Sequence, residues 1–155
     1  MKKIFLLIAF QALAFTYTCF AQDAAPSNLL TSYYSIKDAL VAGNAELAAT
    51  KADEFTKAAK SIDEKTISAD KINTLVKAAT AISQNKDLKQ QRLHFADLST
   101  DMISTVKAYK IWGQPVYEVY CPMKKAYWLS SEKAIKNPYY GSAMLTCGKV
   151  VETIN

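Results

Sequence analysis

Most of this chain consists of four segments in which apolar residues recur every three or four positions, the spacing of one face of an α-helix. Short polar connections separate the segments. Four amphipathic helices joined in this way favour an antiparallel four-helix bundle, so the predicted fold is mainly α with a small C-terminal β and loop module. The positions assigned to the buried faces are, in chain order, Leu29, Leu30, Tyr33, Ile36, Leu40 and Val41; Leu47, Ala48, Phe55, Ala59 and Ile62; Ile72, Leu75, Val76, Ala79 and Ile82; and Leu88, Gln91, Phe95, Leu98, Met102, Ile103 and Val106.

The start of each of the first three segments carries a residue that can cap a helix. Ser27, Asn44 and Ser68 precede the first three segments, and the fourth begins near Asp87. Side-chain oxygens of Ser and Asn accept hydrogen bonds from the free N–H groups of the first turn. Glu46 adds a carboxylate where it complements the helix dipole.

The pattern changes after residue 109. Residues 112–115 contain a glycine and a proline that end the helix, and three later segments have the composition of short strands. Residues 137–141 read Asn-Pro-Tyr-Tyr-Gly, which is typical of a turn. We therefore predict strands at 116–120, 126–129 and 149–152, in a compact module over residues 111–155 packed on a helical part that spans residues 22–110.

The N-terminus indicates export. Lys2 and Lys3 precede an apolar run over residues 4–10, and small residues at Cys19 and Ala21 stand at the minus-three and minus-one positions of a signal-peptidase site. Residues 1–21 are predicted to be a signal peptide cleaved before Gln22, which implies a periplasmic or secreted protein. The alternatives are a lipoprotein modified at Cys19 and a membrane anchor, although the apolar run is short for a bilayer span of about 20 residues.

Charge argues against nucleic acid as a partner. The formal net charge is +5, and loss of the two N-terminal lysines would lower it to +3. Lysines alternate with acidic residues along the helices, and no basic run of the kind that follows phosphates is present. The remaining chain of about 130 residues is large enough for one domain with its own core and no membrane span.

Two sulfur-containing clusters dominate the C-terminal module: Cys121-Pro-Met123 and Met144-Leu-Thr-Cys147. An extended segment places positions i and i+2 on one face, and a single turn brings positions i and i+3 together. Thiolates and thioethers are the ligands that select Cu(I) or Ag(I). We predict a soft-metal site made by these four residues, or by two or three of their sulfurs together with His94, the chain's single histidine.

Two other interpretations of the cysteines stay open. Once Cys19 is removed, Cys121 and Cys147 are the two cysteines of an exported chain, and such cysteines usually pair. A disulfide would stabilise the fold by roughly 3–4 kcal/mol in the chain-entropy model, and the two methionines would then fill the core. Thiol redox catalysis has little support, because no Cys-x-x-Cys motif is present.

The C-terminal module resembles the C-terminal domain of periplasmic adaptor (membrane-fusion) subunits of heavy-metal efflux systems, which also occurs as a free-standing secreted protein in a family of unknown function. Residues 116–123, 126–130 and 135–148 carry this resemblance, and residues 33–40 and 91–99 are similar to helical segments of the family. The resemblance implies a helical domain associated with copper or silver and no catalytic activity. Members often have a His or Gln and a longer glycine-containing insert around Cys-Pro-Met, whereas here only residues 124–125 separate Met123 from the next strand.

No enzyme signature accompanies these features. A hydrolytic triad would have to use His94, and the chain lacks the Gly-x-Ser-x-Gly motif that would mark its nucleophile. The sequence therefore predicts a non-enzymatic copper or silver protein that delivers metal to an efflux adaptor or sequesters it. The competing hypothesis is a disulfide-stapled interaction domain that presents Tyr139 and Tyr140 to a partner in the cell envelope.

Overall fold

The computed structural model describes residues 24–155 and contains four helices followed by three short strands. The predicted signal peptide lies outside the described residues. The helices are α1 (Ala24–Val41), α2 (Ala45–Lys60), α3 (Ala69–Ser83) and α4 (Leu88–Tyr109); the strands are β1 (Val116–Cys121), β2 (Ala126–Ser130) and β3 (Lys149–Ile154). A short 3-10 helix, Gly141–Met144, precedes β3. All four helices and all three strands were predicted within a few residues of these bounds.

One of the three predicted N-caps has the expected hydrogen bond: Asn44 accepts from the backbone of Leu47 at 2.9 Å. Asp87, near which the fourth helix was expected to begin, is also an N-cap and accepts from the backbone of Lys89 at 2.8 Å. Ser68 occupies the N-cap position of α3, but its side chain makes no capping bond and instead accepts from the Tyr109 hydroxyl at 3.0 Å. A distant partner has thus replaced the local one.

Two local predictions are wrong. α1 begins at Ala24, so Ser27 lies inside the helix and is not its cap; Pro26 falls in the first turn, where a missing N–H costs nothing. Leu47 is 40% exposed although it was assigned to the core. The buried face of α2 is defined by Ala48 and positions spaced three or four from it, and Leu47 is displaced from that face by about 100°.

Each helix packs against the next one in the chain, and α4 also contacts α1 and β2. The antiparallel bundle arrangement stays a prediction. The three strands form an antiparallel sheet in the order β2-β1-β3. No helix within residues 24–155 combines the length and apolar character needed to cross a bilayer.

A lysine of α4 forms ion pairs with two strands of the sheet. Glu118 of β1 lies opposite Glu152 of β3, and two like charges in register would destabilise the pair. Lys107 contacts both carboxylates, at 2.6 Å and 2.8 Å. These hydrogen bonds raise the pKa of Lys107, and one cation thus holds β1 and β3 against α4.

Tyr33 connects α1 to both α4 and the sheet. Its ring is fully buried and stacks on Phe95 at 5.2 Å between centroids. Its hydroxyl contacts Ser99 of α4 at 2.7 Å and accepts the backbone N–H of Leu129 in β2 at 3.1 Å. The helical part and the C-terminal module therefore share one core.

Candidate functional site

The candidate site lies where β1 ends and β3 begins. Cys121 is the last residue of β1, and Cys147 lies two residues before β3. Because Tyr120 is paired with Lys149, the antiparallel register brings the two cysteines to the same end of the sheet. Their Sγ atoms are 3.9 Å apart, and both are free thiols. Cys121 is fully buried, while Cys147 is half-buried.

The turn after β1 directs backbone N–H groups at the sulfurs. Residues 122–125 connect β1 to β2, and Lys125 has a left-handed φ of 54°. In this turn the N–H of Lys124 donates to Cys121 Sγ at 3.4 Å. The backbone of Met123 in the same turn acts to lower the pKa of the Cys147 thiol. One short turn thus lies against both cysteines.

Asn137 connects the two cysteine segments from a position with no solvent exposure. Its side-chain Nδ2 donates to Cys121 Sγ at 3.3 Å and to the backbone carbonyl of Cys147 at 2.6 Å. Its Oδ1 accepts from the backbone of Tyr139 at 2.8 Å, and its own N–H donates to the Leu145 carbonyl at 2.8 Å. The sequence pattern indicated only a turn here, and an Asn before Pro was the one signal that could have pointed to this amide.

Glycine is required immediately after Cys147. Gly148 has a φ of 156°, and a Cβ there would lie 2.7 Å from the ring of Trp128. Because Trp128 is almost fully buried, its ring has no free space into which to move. The close approach of backbone and indole therefore sets the position of Cys147.

The structure brings together two of the four predicted sulfur ligands. Met123 is 63% exposed in the turn, and Met144 is half-buried at the end of the 3-10 helix, where its carbonyl accepts the Cys147 N–H at 3.1 Å. A site made by all four sulfurs stays a prediction. His94 is half-buried on α4. Within the described residues, no group of three or more His, Cys, Asp or Glu side chains is placed to hold a metal ion.

Electrostatics differ between the two thiols. Burial raises the pKa of Cys147, and the hydrogen bond and charge of Cys121 raise it further, while the Met123 N–H opposes this shift. Cys121 accepts two N–H donors, from Lys124 and Asn137.

The tyrosine-presenting hypothesis does not fit the position of Tyr139, which is only 4% exposed. Its ring packs edge-on against Trp128 at 5.9 Å and lies 6.0 Å from Phe95. Its hydroxyl donates to the Tyr127 carbonyl. Tyr139 is therefore a core residue that joins the module to α4.

Comparison with known families gives one match. The family model described as a protein of unknown function (DUF3347) matches residues 29–112, more than half of the chain. The chain belongs to this family. The match begins within α1 and ends three residues after α4, so it covers the helical part and stops before β1. No curated protein and no solved structure matches the chain.

The DUF3347 match supports one part of the predicted resemblance and leaves the other part as a prediction. A family of unknown function is shown, and the matched segment is the helical part. Both cysteines lie outside the matched residues. A relation to efflux adaptor subunits therefore stays a prediction that depends on the C-terminal motifs.

Proposed function

We propose that this DUF3347 protein binds Cu(I) or Ag(I) through Cys121 and Cys147, with a third ligand from the thioether of Met123 or Met144. The observation that carries the proposal is the pair of free thiols whose sulfurs lie 3.9 Å apart, with the N–H groups of Lys124 and Asn137 donating to Cys121 Sγ. Hydrogen-bonded ligands held in place by a surrounding shell are typical of protein metal sites.

The separation of the sulfurs favours a bent arrangement. With metal–sulfur bonds of about 2.3 Å, the value for zinc thiolates, sulfurs 3.9 Å apart subtend about 116° at the metal. A linear two-coordinate ion would need sulfurs about 4.6 Å apart at the same bond length. An angle near 116° lies between trigonal and tetrahedral values, so it calls for at least one further ligand.

The available third ligands favour a soft monovalent ion over zinc. Structural zinc sites take four Cys, His or carboxylate ligands, and no third such side chain joins the cysteines in the described part of the chain. Thioethers are the remaining sulfur ligands nearby in sequence, and they suit Cu(I) and Ag(I). Met123 is exposed next to Cys121, so its side chain can reorient toward a bound ion.

Delivery to an efflux adaptor or sequestration is the physiological role that we propose for this site. The resemblance of residues 116–123 and 135–148 to the C-terminal domain of such adaptors supports it, as does the signal-peptide pattern of residues 1–21. A periplasmic or secreted protein is therefore proposed, without enzymatic activity.

The alternative is a disulfide-stapled interaction domain. The two thiols are close enough to pair after the sulfurs approach from 3.9 Å to about 2.05 Å. With Tyr139 buried, such a domain would present its exposed apolar side chains: Tyr127 at 43%, Leu145 at 41% and Val151 at 46% exposure.

An anaerobic Cu(I) titration of the reduced chain against a competing chelator tests the proposal. The wild type is expected to compete with a defined stoichiometry, and Cys121→Ser is expected to lose this ability. Met123→Leu and Met144→Leu are expected to weaken Cu(I) binding. Met102→Leu is the matched control and is expected to leave binding unchanged, because Met102 lies on α4 with its side chain buried in the hydrophobic core. If the wild type does not compete, the metal proposal is wrong and the disulfide alternative is preferred.

A further inference from the structure

We infer that Asn137 is a positioning residue, whose side-chain amide holds the two cysteine segments together and keeps the cysteines in the dithiol form that binds metal. The part of this inference that concerns metal affinity rests on the function proposed above. The part that concerns the thiols themselves does not, and it can be tested separately.

The contacts of the Asn137 amide permit only one orientation. Nδ2 faces two acceptors, the Cys121 sulfur and the Cys147 carbonyl, while Oδ1 faces the N–H of Tyr139. Exchanging the two amide atoms would place an oxygen against both acceptors and an NH₂ group against a donor. Both N–H groups of Nδ2 are thus used, one on each cysteine segment.

The position of Asn137 is itself determined by the backbone. Its N–H donates to the Leu145 carbonyl at 2.8 Å, and its carbonyl accepts from Gly141 at 2.9 Å. Gly141 has a φ of 55°, and a Cβ there would lie 2.9 Å from the Val41 carbonyl at the end of α1. Packing against α1 therefore fixes the turn, and the turn aims the amide at the sulfur.

The chemical consequence concerns the state of Cys121. A thiol or thiolate sulfur gains more from an N–H donor than a disulfide sulfur does, because it carries more negative charge. Forming the Cys121–Cys147 disulfide would also pull the sulfur away from Nδ2. The amide therefore opposes oxidation of the pair and favours the separation of 3.9 Å at which a metal can bridge the sulfurs.

Asn137→Asp is the sharpest variant. The carboxylate keeps an acceptor for the Tyr139 N–H but turns the two donors toward Cys121 and Cys147 into an acceptor. Asn85→Asp is the matched control, because the Asn85 amide also donates to a backbone carbonyl, that of Ala81 at 3.0 Å, at the end of α3.

Two measurements are made at pH 8 on both variants. The first is Cu(I) affinity against a competing chelator. The second is the thiol–disulfide equilibrium with glutathione, in which oxidised glutathione takes two electrons from the two cysteine thiols, leaving one protein disulfide and two glutathione thiols. Asn137→Asp is expected to lower Cu(I) affinity by about 10- to 100-fold and to shift the equilibrium toward the disulfide by roughly fivefold to tenfold. Asn85→Asp is expected to change neither.

Equal behaviour of Asn137→Asp and wild type in both measurements would overturn the inference, and so would equal shifts in both Asp variants. If the wild type binds no Cu(I), the proposed function fails, and the glutathione equilibrium alone decides the role of Asn137. Should Asn137→Asp fail to fold, Asn137→Ser, which retains one donor, is expected to show a smaller shift in the same direction. An Asn137→Ser equilibrium equal to that of wild type would then refute the inference.

Discussion

Replacement of Tyr33 by Phe removes the hydroxyl that joins α1, α4 and β2 without changing the ring. The hydroxyl contacts Ser99 at 2.7 Å and accepts the N–H of Leu129 at 3.1 Å, and all of it is buried. Losing the Ser99 bond costs about 1 kcal/mol, and leaving the buried Leu129 N–H without an acceptor costs about 1–3 kcal/mol. The expected loss of unfolding free energy is therefore about 3 kcal/mol.

The neighbouring Tyr34 is the matched control. Its hydroxyl is also inaccessible to solvent, but it has no hydrogen-bond partner within the described residues. Tyr34→Phe removes a buried hydroxyl that makes no hydrogen bond in the folded protein. The unfolding free energy of this variant is therefore expected to equal or slightly exceed that of wild type. The two variants share one helix and one chemical change, and they differ in whether the hydroxyl has hydrogen-bond partners.

The measurement is reversible denaturation by urea and by heat, followed by circular dichroism. With an unfolding entropy of about 2.1 cal/mol/K per residue over roughly 130 residues, a loss of 3 kcal/mol lowers Tm by roughly 10 °C. A Tyr33→Phe, Ser99→Ala double-mutant cycle isolates the bond between the two hydroxyls. Equal stabilities of Tyr33→Phe and Tyr34→Phe would refute the reasoning, since burial of the hydroxyl would then matter and its partners would not.

Two further predictions concern the sheet and its aromatic core. Gly148→Ala is expected to lower the unfolding free energy by about 1–3 kcal/mol, because its Cβ would overlap the Trp128 ring, whereas Gly113→Ala meets nothing within 4 Å and is expected to be neutral in the same denaturation assay. Burial raises the pKa of Tyr33 and Tyr139. The unfolded chain therefore loses these phenolic protons at a lower pH than the folded chain does. The unfolding free energy keeps its full value below about pH 10 and falls as the pH rises above about 10. Absorbance at 295 nm should show these two ionisations only together with loss of circular dichroism, and ionisation in the folded protein near pH 10 would contradict the prediction.

The helices and strands could be predicted because their signals are local. The cap of α2 by Asn44 lies three residues from its partner, and the apolar spacing of each helix repeats within a few residues. The predicted cap of α3 failed because a tertiary contact replaced the local one: the Ser68 side chain accepts from the Tyr109 hydroxyl, 41 residues away. Leu47 was misassigned because its apolar character says nothing about which face of α2 meets the neighbouring helices.

The sulfur residues of the candidate site were visible in the sequence, but their arrangement was not. Cys121 and Cys147 are 26 residues apart, and their approach to 3.9 Å depends on the pairing of β1 with β3. Residue type predicted two thiolate and two thioether ligands in one site, while the fold separates a pair of facing thiols from an exposed Met123.

The sequence by itself determined where each helix and strand forms and which residue types are available for metal chemistry. Only the tertiary structure decided that the amide of Asn137 meets Cys121, and that the hydroxyl of Tyr33 reaches Leu129 across 96 residues. The physical reason is that propensity, capping and periodicity act within a turn or two of the chain. The geometry of a site instead depends on where several distant segments come together, and that is set by the packing of the whole core.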